Sequence, residues 1–524
     1  KIRTDFTSMD EGQRADYMAA MSELVNDIYN FAELDKDDKQ IAGMVYDATL
    51  LSKSALLSFS RSLGSTVRAT GDPSLIALLE EFNAKRREYV RLEQQGDFAS
   101  ASDVRKEAGE IERRLQQSVA GCDPGSFMTT AWQDVKNGLG KNDAAVEFYT
   151  FTDNLYGAPE VRERIVALAA NKNPHVFPLR YKAGEVSVTA PGQLRMLYLA
   201  LWLPLEKEKF LKPGGTVYFA PSGRWNGLPL EYLPAGKDEE MNRRYRMVRV
   251  STTRNKPDSS KPSLENTILF GGLDYNLDID EMAAIRDEIA ETGLRGPLDS
   301  GLWNFLPGTE TEVENIATIL SERQDGCETV AGADGIEEKF KSLSGGKHGV
   351  IHIATHGYYF APENEAGLRS ESVKMDEAMD NSGLVFSGAN QFMAGAKSDD
   401  ERLDDGLLTA REIALMDLSS TDLVVMSACE TGTGKATSEG VLGLQRGFKL
   451  AGVNTLIMSL WKVNDEATAA MMESFYRYLA EGMDKRDAFY RARTDLRKGT
   501  FHGSDGFSVA GTDPLIGDAF VILD

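Results

Sequence analysis

Two side chains in this sequence are spaced for nucleophilic chemistry. The run Val350-Ile-His-Ile-Ala-Thr-His356-Gly357 puts His356 two residues past a β-rich apolar stretch, with His352 inside that stretch and expected to be buried. The run Leu423-Val-Val-Met-Ser-Ala-Cys429-Glu430-Thr431-Gly432 puts Cys429 just past a similar stretch. In open parallel sheets, ligands and reactions gather at the carboxyl ends of strands. If the two runs are neighbouring strands, His356 and Cys429 stand side by side. A thiol attacks as thiolate, and an adjacent imidazole is the usual way to make one at neutral pH. The main-chain N–H groups of Gly357 and Cys429 could then form an oxyanion hole for a reacting carbonyl. No Asp or Asn is spaced to orient the imidazole, so the arrangement reads as a dyad. Taken singly, each residue has a plainer reading. A cysteine after a strand is most often a small buried hydrophobe, and a histidine in a sheet is most often structural. Spacing alone leaves both readings open.

Other chemistries fit less well. Glu430-Thr-Gly-Thr-Gly-Lys435 has the look of a phosphate loop, but Cys429 takes its first glycine position and Ala436 its Ser or Thr. Nucleotide binding is not expected there. The three cysteines, Cys122, Cys327 and Cys429, are too few for a disulfide framework and point to a reducing compartment, the cytoplasm. Cys122 and Cys327 have no evident partner and read as inert. The five histidines show no metal-ligand spacing with them, so neither metal nor cofactor is expected. Lys and Arg number 58 against 81 Asp and Glu, a net charge of −23. Such a surface repels phosphate backbones and anionic lipid, so nucleic acid and membrane are not expected partners. No apolar run reaches the ~20 residues of a membrane helix, and no signal peptide is visible. The sequence opens on Lys1, not Met, and so reads as part of a longer chain.

The elements that would position these residues follow from periodicity. Up to about residue 120, apolar residues recur at helical spacing: Tyr17, Met21, Leu24, Ile28 and Phe31, then Met44, Ala48, Leu51 and Ala55. The charged stretch Lys85–Leu115, broken at Gly96-Asp97, predicts a long antiparallel helical hairpin. It is either a solvated spacer or a partner-binding surface. Cys122-Asp-Pro-Gly125 breaks the helices, and mixed α/β character runs from Trp132 to about Val250, with strands at Ala144–Phe151 and Thr216–Ala220 around a helix at Gly192–Leu205. After a linker at Lys256–Pro262, short apolar runs alternate with helical patterns. The predicted strands are Thr267–Phe270, Val350–Ala354, Leu423–Ser427, Thr455–Leu460 and Ala519–Leu523. Continuous apolar strands alternating with helices predict a mostly parallel sheet covered on both faces. Phe360–Asp405 reads as a polar, irregular insertion with one apolar stretch at Gly383–Phe386.

These residues resemble a known family. Leu306-Pro-Gly-Thr-Glu-Thr-Glu312, His352-Ile-Ala-Thr-His-Gly357, Ser382-Gly-Leu-Val385, Asp405-Gly-Leu-Leu-Thr-Ala410, Leu423 to Gly432, Glu439-Gly-Val-Leu-Gly-Leu444 and Ser459-Leu-Trp-Lys-Val-Asn-Asp465 are similar, in order and spacing, to the CHAT (caspase HetF associated with tetratricopeptide repeats) cysteine peptidases. That family is grouped with caspases, gingipains and separases. The segment Tyr218–Leu230 resembles the stretch that precedes this block, and residues 1–120 look like the region linking helical repeats to the peptidase. The resemblance implies a cysteine endopeptidase with Cys429 as nucleophile and His356 as general acid and base. By likeness to separases, Asp465 would receive an Arg or Lys before the cut, or it simply caps the following helix. Asp404 and Asp405 are alternative pocket residues, or a solvated turn.

The expectation is an α/β protein: a caspase-like, mostly parallel sheet flanked by helices, preceded by a degenerate α/β region and an all-α amino-terminal region. The domains are drawn at 1–122, 126–258 and 263–524. The expected function is a bacterial, cytoplasmic peptidase acting on a protein substrate. Its activity would be gated by the insertion Phe360–Asp405, by the helical region, or by a regulatory protein bound there. The alternative is a catalytically silent scaffold that keeps the motifs.

Overall fold

The computed structural model describes residue 9 and residues 11–524, except 36–37, 54, 95, 120–125, 156, 180–190, 238, 255, 258–260, 283–301, 324–325, 361–377, 396–402, 429–434, 438–439, 462–464 and 500–516. Five helices lead: α1 (Glu11–Leu34), α2 (Lys39–Ser52), α3 (Ala55–Thr70), α4 (Pro73–Gln94) and α5 (Phe98–Ser118). The expected hairpin is α4–α5. Gly96 takes a left-handed φ of 78° at the turn, and the Asp97 side chain caps α5 by accepting from the Ser100 N–H. Leu79, Phe82 and Val90 pack on Val104, Ile111 and Leu115. Lys85–Glu107 and Arg105–Glu93 ion pairs, both at 2.8 Å, cross between the helices.

One sheet of eleven strands runs through the rest, in the order β3-β2-β1-β4-β5-β16-β15-β12-β8-β6-β7. Its strands are β1 (Ala144–Asp153), β2 (Glu160–Ala169), β3 (Lys172–Pro178), β4 (Thr216–Ala220), β5 (Arg246–Arg249), β6 (Thr267–Leu273), β7 (Cys327–Gly332), β8 (Val350–Ala354), β12 (Leu423–Ser427), β15 (Thr455–Ser459) and β16 (Phe520–Leu523). Neighbours are parallel except β1–β2, β2–β3 and β15–β16. The sheet is thus mostly parallel, as the unbroken apolar runs predict. It does not stop at the linker, because β5 of the earlier region pairs with the final strand, Leu523 opposite Arg249. Periodicity did not announce β2, β3, β5 and β7, whose polar residues interrupt or end the apolar runs.

Helices cover both faces. They are α6 (Pro191–Lys207), α7 (Pro307–Ser321), α8 (Glu337–Lys341), α9 (Ala410–Ile413), α10 (Leu444–Leu450), α11 (Asp465–Ala480) and α12 (Lys485–Lys498). Alternation along β8 sends Ile351 and Ile353 to a core with Phe340, Phe386 and Phe448. It sends Val350 and Ala354 to a second core with Val313, Phe475 and Phe489. Burying each such side chain contributes about 1.5–3 kcal/mol. Helices α1 and α2 close over the far end, where Val25, Tyr29 and Tyr46 pack against Tyr149, Val166 and Val176.

The described part of the insertion is not irregular. Its apolar stretch forms β10 (Ser382–Val385), the centre of a small antiparallel sheet between β9 (Gly357–Tyr359) and β11 (Leu407–Thr409), and further on β13 (Lys435–Thr437) pairs antiparallel with β14 (Gly440–Leu442). Its segments 361–377 and 396–402 lie outside the described residues. Among the described residues, no helix is long and apolar enough to cross a membrane.

Candidate active site

Strands β8 and β12 are parallel neighbours, and their pairing ends with Ala354 opposite Ser427. His356 follows two residues later. Cys429 stands two residues after Ser427 in sequence and lies outside the described residues, so its thiol and N–H have no described position.

The His356 imidazole is held through a main-chain contact. Its Nε2 lies 2.8 Å from the carbonyl oxygen of Asn304. A carbonyl only accepts, so in the neutral ring Nε2 carries the proton and the lone pair is on Nδ1. The ring sits between Tyr275 and Trp303, with centroids 5.2 and 5.1 Å away. Trp303 is fixed in turn by Asn390. The Trp303 N–H donates to Asn390 Oδ1 at 2.6 Å, and Asn390 Nδ2 donates back to the Trp303 carbonyl at 2.8 Å. Thus an orienting group does exist for the histidine. Reasoning from residue types missed it because a main-chain carbonyl has no residue signature. The nearest signal was position, two residues ahead of the Leu306–Glu312 motif.

Gly357 opens β9 opposite Leu384. On either side, Val385 N donates to the His356 carbonyl at 3.0 Å and Phe360 N donates to the Asn381 carbonyl at 2.8 Å. Hydrogen-bonded and open pairs alternate in an antiparallel ladder, so the Gly357 N–H points away from β10.

Beneath this end of the sheet lies a closed polar network. His352 is fully buried, as expected. Its Nε2 donates to Glu312 Oε1 at 2.8 Å, and its Nδ1 accepts from the Tyr476 hydroxyl at 3.2 Å. The other oxygen of Glu312 accepts from Ser427 Oγ at 3.0 Å. Four elements, α7, β8, β12 and α11, are thereby tied together two residues before Cys429. Burial, and secondarily the Glu312 charge, pushes the Tyr476 phenol well above its ordinary range, so it stays a donor.

Asp404 and Asp405 are neither a solvated turn nor an open pocket. Asp404 is 0% exposed and its carboxylate lies 2.9 Å from Lys341 Nζ. The same ammonium reaches Glu337 at 2.7 Å and Glu412 at 3.0 Å. Asp405 caps its own turn by accepting from Leu407 N at 2.9 Å. The cation these acids serve is internal. Glu337, Asp404 and Glu412 have the close spacing of a metal-ligand set, yet the lysine ammonium reaches all three. Burial drives the Glu337 and Asp404 carboxyls well above the ordinary carboxylate range, with Lys341 opposing. Burial alone would lower the Lys341 pKa, but the three carboxylates outweigh it and hold it well above its usual value.

Asp465 is the first residue of α11, and its side chain lies outside the described part of the structure. Cys327 opens the outermost strand, β7, partly buried and without a disulfide, its thiol pushed up by burial. Cys122 lies outside the described residues.

A family model described as the CHAT domain matches residues 192–503, more than half of the chain and across the linker at 256–262. Two curated relatives are similar. Tetratricopeptide repeat protein 28 of Mus musculus is 25% identical over 361 residues, covering 62% of this chain and 13% of that protein. Its Homo sapiens counterpart is 26% identical over 239 residues, 41% of this chain and 9% of that protein. The chain therefore spans a small fraction of these relatives. Among solved structures, the Saccharomyces cerevisiae separase–securin complex matches with a TM-score of 0.41 at 9% identity, covering 98% of this chain and 37% of that one. The Arg-specific cysteine proteinase gingipain R matches at 0.34 and 9%, covering 64% and 68%. The breadth of the family match establishes that this chain belongs to the CHAT domain family.

Proposed function

We propose that this chain is a cysteine endopeptidase acting through Cys429 and His356. The observation that carries the reading is register. The β8–β12 pairing ends at Ala354 and Ser427, each candidate follows two residues later, and neighbouring strands run about 4.8 Å apart. Nδ1 of His356, the lone-pair nitrogen, takes the thiol proton. The thiolate attacks the scissile carbonyl, and the Gly357 and Cys429 N–H groups receive the oxyanion. The imidazolium then protonates the leaving amine as the C–N bond breaks, leaving a thioester. Water, deprotonated by the same nitrogen, hydrolyses it and regenerates the thiol. In this reading Asp465 receives an Arg or Lys before the cut, and the helical region, or a protein bound to it, gates activity.

The test is cleavage of a peptide library varied at the residue before the scissile bond, with the intact chain, Cys429→Ala, His356→Ala and Asp465→Ala. Cutting after Arg or Lys is expected, abolished by the first two changes and redirected by the third. Activity that survives Cys429→Ala overturns the mechanism. If no peptide is cut, a peptidyl acyloxymethyl ketone decides. Labelling at Cys429 supports a gated enzyme, and its failure to label refutes the proposal in favour of a scaffold.

A further inference from the structure

A cavity of about 870 Å³ opens between α3, the α4–α5 hairpin and the end of the sheet at Val250, Asn454 and Asp524. Asn454 precedes β15, whereas His356 follows β8, and β8 and β15 both run parallel to β12. The cavity is therefore at the opposite end of the sheet from the candidate catalytic residues.

Its charge runs against that of the protein. In a chain of net charge −23, its walls carry Arg61, Arg68, Arg86, Lys256 and Lys449 against only Glu112 and Asp524 among the described residues. Both acids are already engaged, Glu112 by Arg14 and Asp524 by Arg486. Arg68 is matched by Asp417 at 2.9 Å. Arg61 has no hydrogen bond or ion pair among the described residues, although it is partly buried. Lys449 is 1% exposed and donates to the Asn454 carbonyl, and among the described residues no carboxylate forms an ion pair with it. Burial, then the nearby Arg61 charge, holds the Lys449 ammonium well below its usual pKa. Burial and the Arg61 charge both disfavour the charged form of Lys449, and the Asp422 carboxylate only partly offsets them. An anion entering the space favours that charged form.

The rest of the lining narrows the ligand class. Leu63, Leu79, Phe82 and Met416 give one apolar wall, while Ser60 and Ser62 add hydroxyls. The volume falls in the range of small-molecule sites, about 300–1,000 Å³. We propose that this cavity binds a phosphorylated organic anion of nucleotide size, its phosphates between Arg61 and Lys449 and its organic part against Phe82. Bound there, the anion clasps the helical region to the end of the sheet. The site is unrelated to the glycine-rich segment 430–436.

Calorimetry and thermal unfolding of the full chain test this with ATP, tripolyphosphate and adenosine as probes. ATP is expected to bind and raise the melting temperature, tripolyphosphate to compete but bind more weakly, and adenosine to do neither. Arg61→Gln and Lys449→Met should each weaken ATP by about tenfold or more, the worth of one charge-assisted contact. Arg61→Gln should leave the unliganded melting temperature unchanged or higher, since it removes a cation that has no partner among the described residues. ATP affinity unaltered in both variants, or no binding of ATP or tripolyphosphate at millimolar concentration, overturns the site. Tripolyphosphate binding as tightly as ATP overturns the organic half of the assignment.

Discussion

Lys341 offers the sharpest test of how this fold handles buried charge. Its ammonium is the common partner of Glu337, Asp404 and Glu412, at 2.7, 2.9 and 3.0 Å, and its side chain is only 12% exposed. Lys341→Met keeps the length of the stem and removes the charge. Three carboxylates then share a site closed to water. Removing one member of a buried ion pair costs about 3–5 kcal/mol, because the remaining charge is left without compensation. With a tenfold change per 1.4 kcal/mol, about 4 kcal/mol corresponds to roughly a thousandfold gain in local opening. Hydrogen exchange at the amides of Leu407 and Leu408, in the strand that follows Asp404, reads that opening directly. The pH dependence has a definite direction. Without the lysine, the Glu337 and Asp404 carboxyls, already raised in the folded state, rise further above their unfolded values of ~4. Such groups favour folding when protonated, so the deficit of the variant is smallest near pH 4–5 and grows as pH rises through the folded values. Adding Glu337→Gln to Lys341→Met should recover part of the loss at neutral pH. A deficit below about 1 kcal/mol at pH 7.5, or one of equal size at pH 5, would refute the reasoning.

Three further outcomes follow from buried contacts elsewhere. Lys53→Met should destabilise by about 3–5 kcal/mol in urea unfolding, because Lys53 Nζ is the ammonium on the fully buried Glu147, at 2.8 Å. Tyr476→Phe should cost about 1 kcal/mol by removing the donor to His352 Nδ1, whereas Glu312→Leu should cost clearly more, because it strands both His352 and Ser427. A double-mutant cycle between Glu93→Gln and Arg411→Gln should give a coupling of about 0.5–3 kcal/mol, measured as the change in protease susceptibility of the hairpin. A zero coupling would mean the 2.7 Å contact contributes nothing.

How far the sequence could be read depended on which atoms did the work. The central strands β8, β12 and β15 were legible because parallel strands buried on both faces must be continuously apolar, and Val350–Ala354 is buried at every position. The outer strands were hidden for the same reason reversed. β2 begins Glu-Val-Arg-Glu-Arg, so only its second half, Ile165–Ala169, is apolar, and β7 keeps Glu328 and Thr329 exposed. The placement of His356 at a strand end was legible from spacing, but its orienting partner was not, since Asn304 acts through a carbonyl that any residue possesses. The Asp404–Asp405 reading failed on a general point. An acidic pair beside a glycine looks solvated in one dimension, and only the fold brings Lys341, more than sixty residues earlier, to meet it.

Arg411 shows how the separately drawn regions are joined mechanically. One arm of its guanidinium reaches Glu93 near the end of α4, and the other reaches Asp380 at 2.9 Å, two residues before β10. Strand β10 pairs with β9, which begins immediately after His356. Glu93 is itself shared with Arg105 of α5, so both helices of the hairpin bear on the same carboxylate. A planar guanidinium engaged at both ends tolerates little displacement without losing one contact. Any movement of the hairpin tip must therefore either break the Glu93 contact or drag Arg411, and with it the approach to β10. The long charged hairpin, which in sequence reads equally as spacer or docking surface, is thus linked by two ion pairs to the strand that neighbours the histidine. A partner that bends α4–α5 would act on that strand without touching His356.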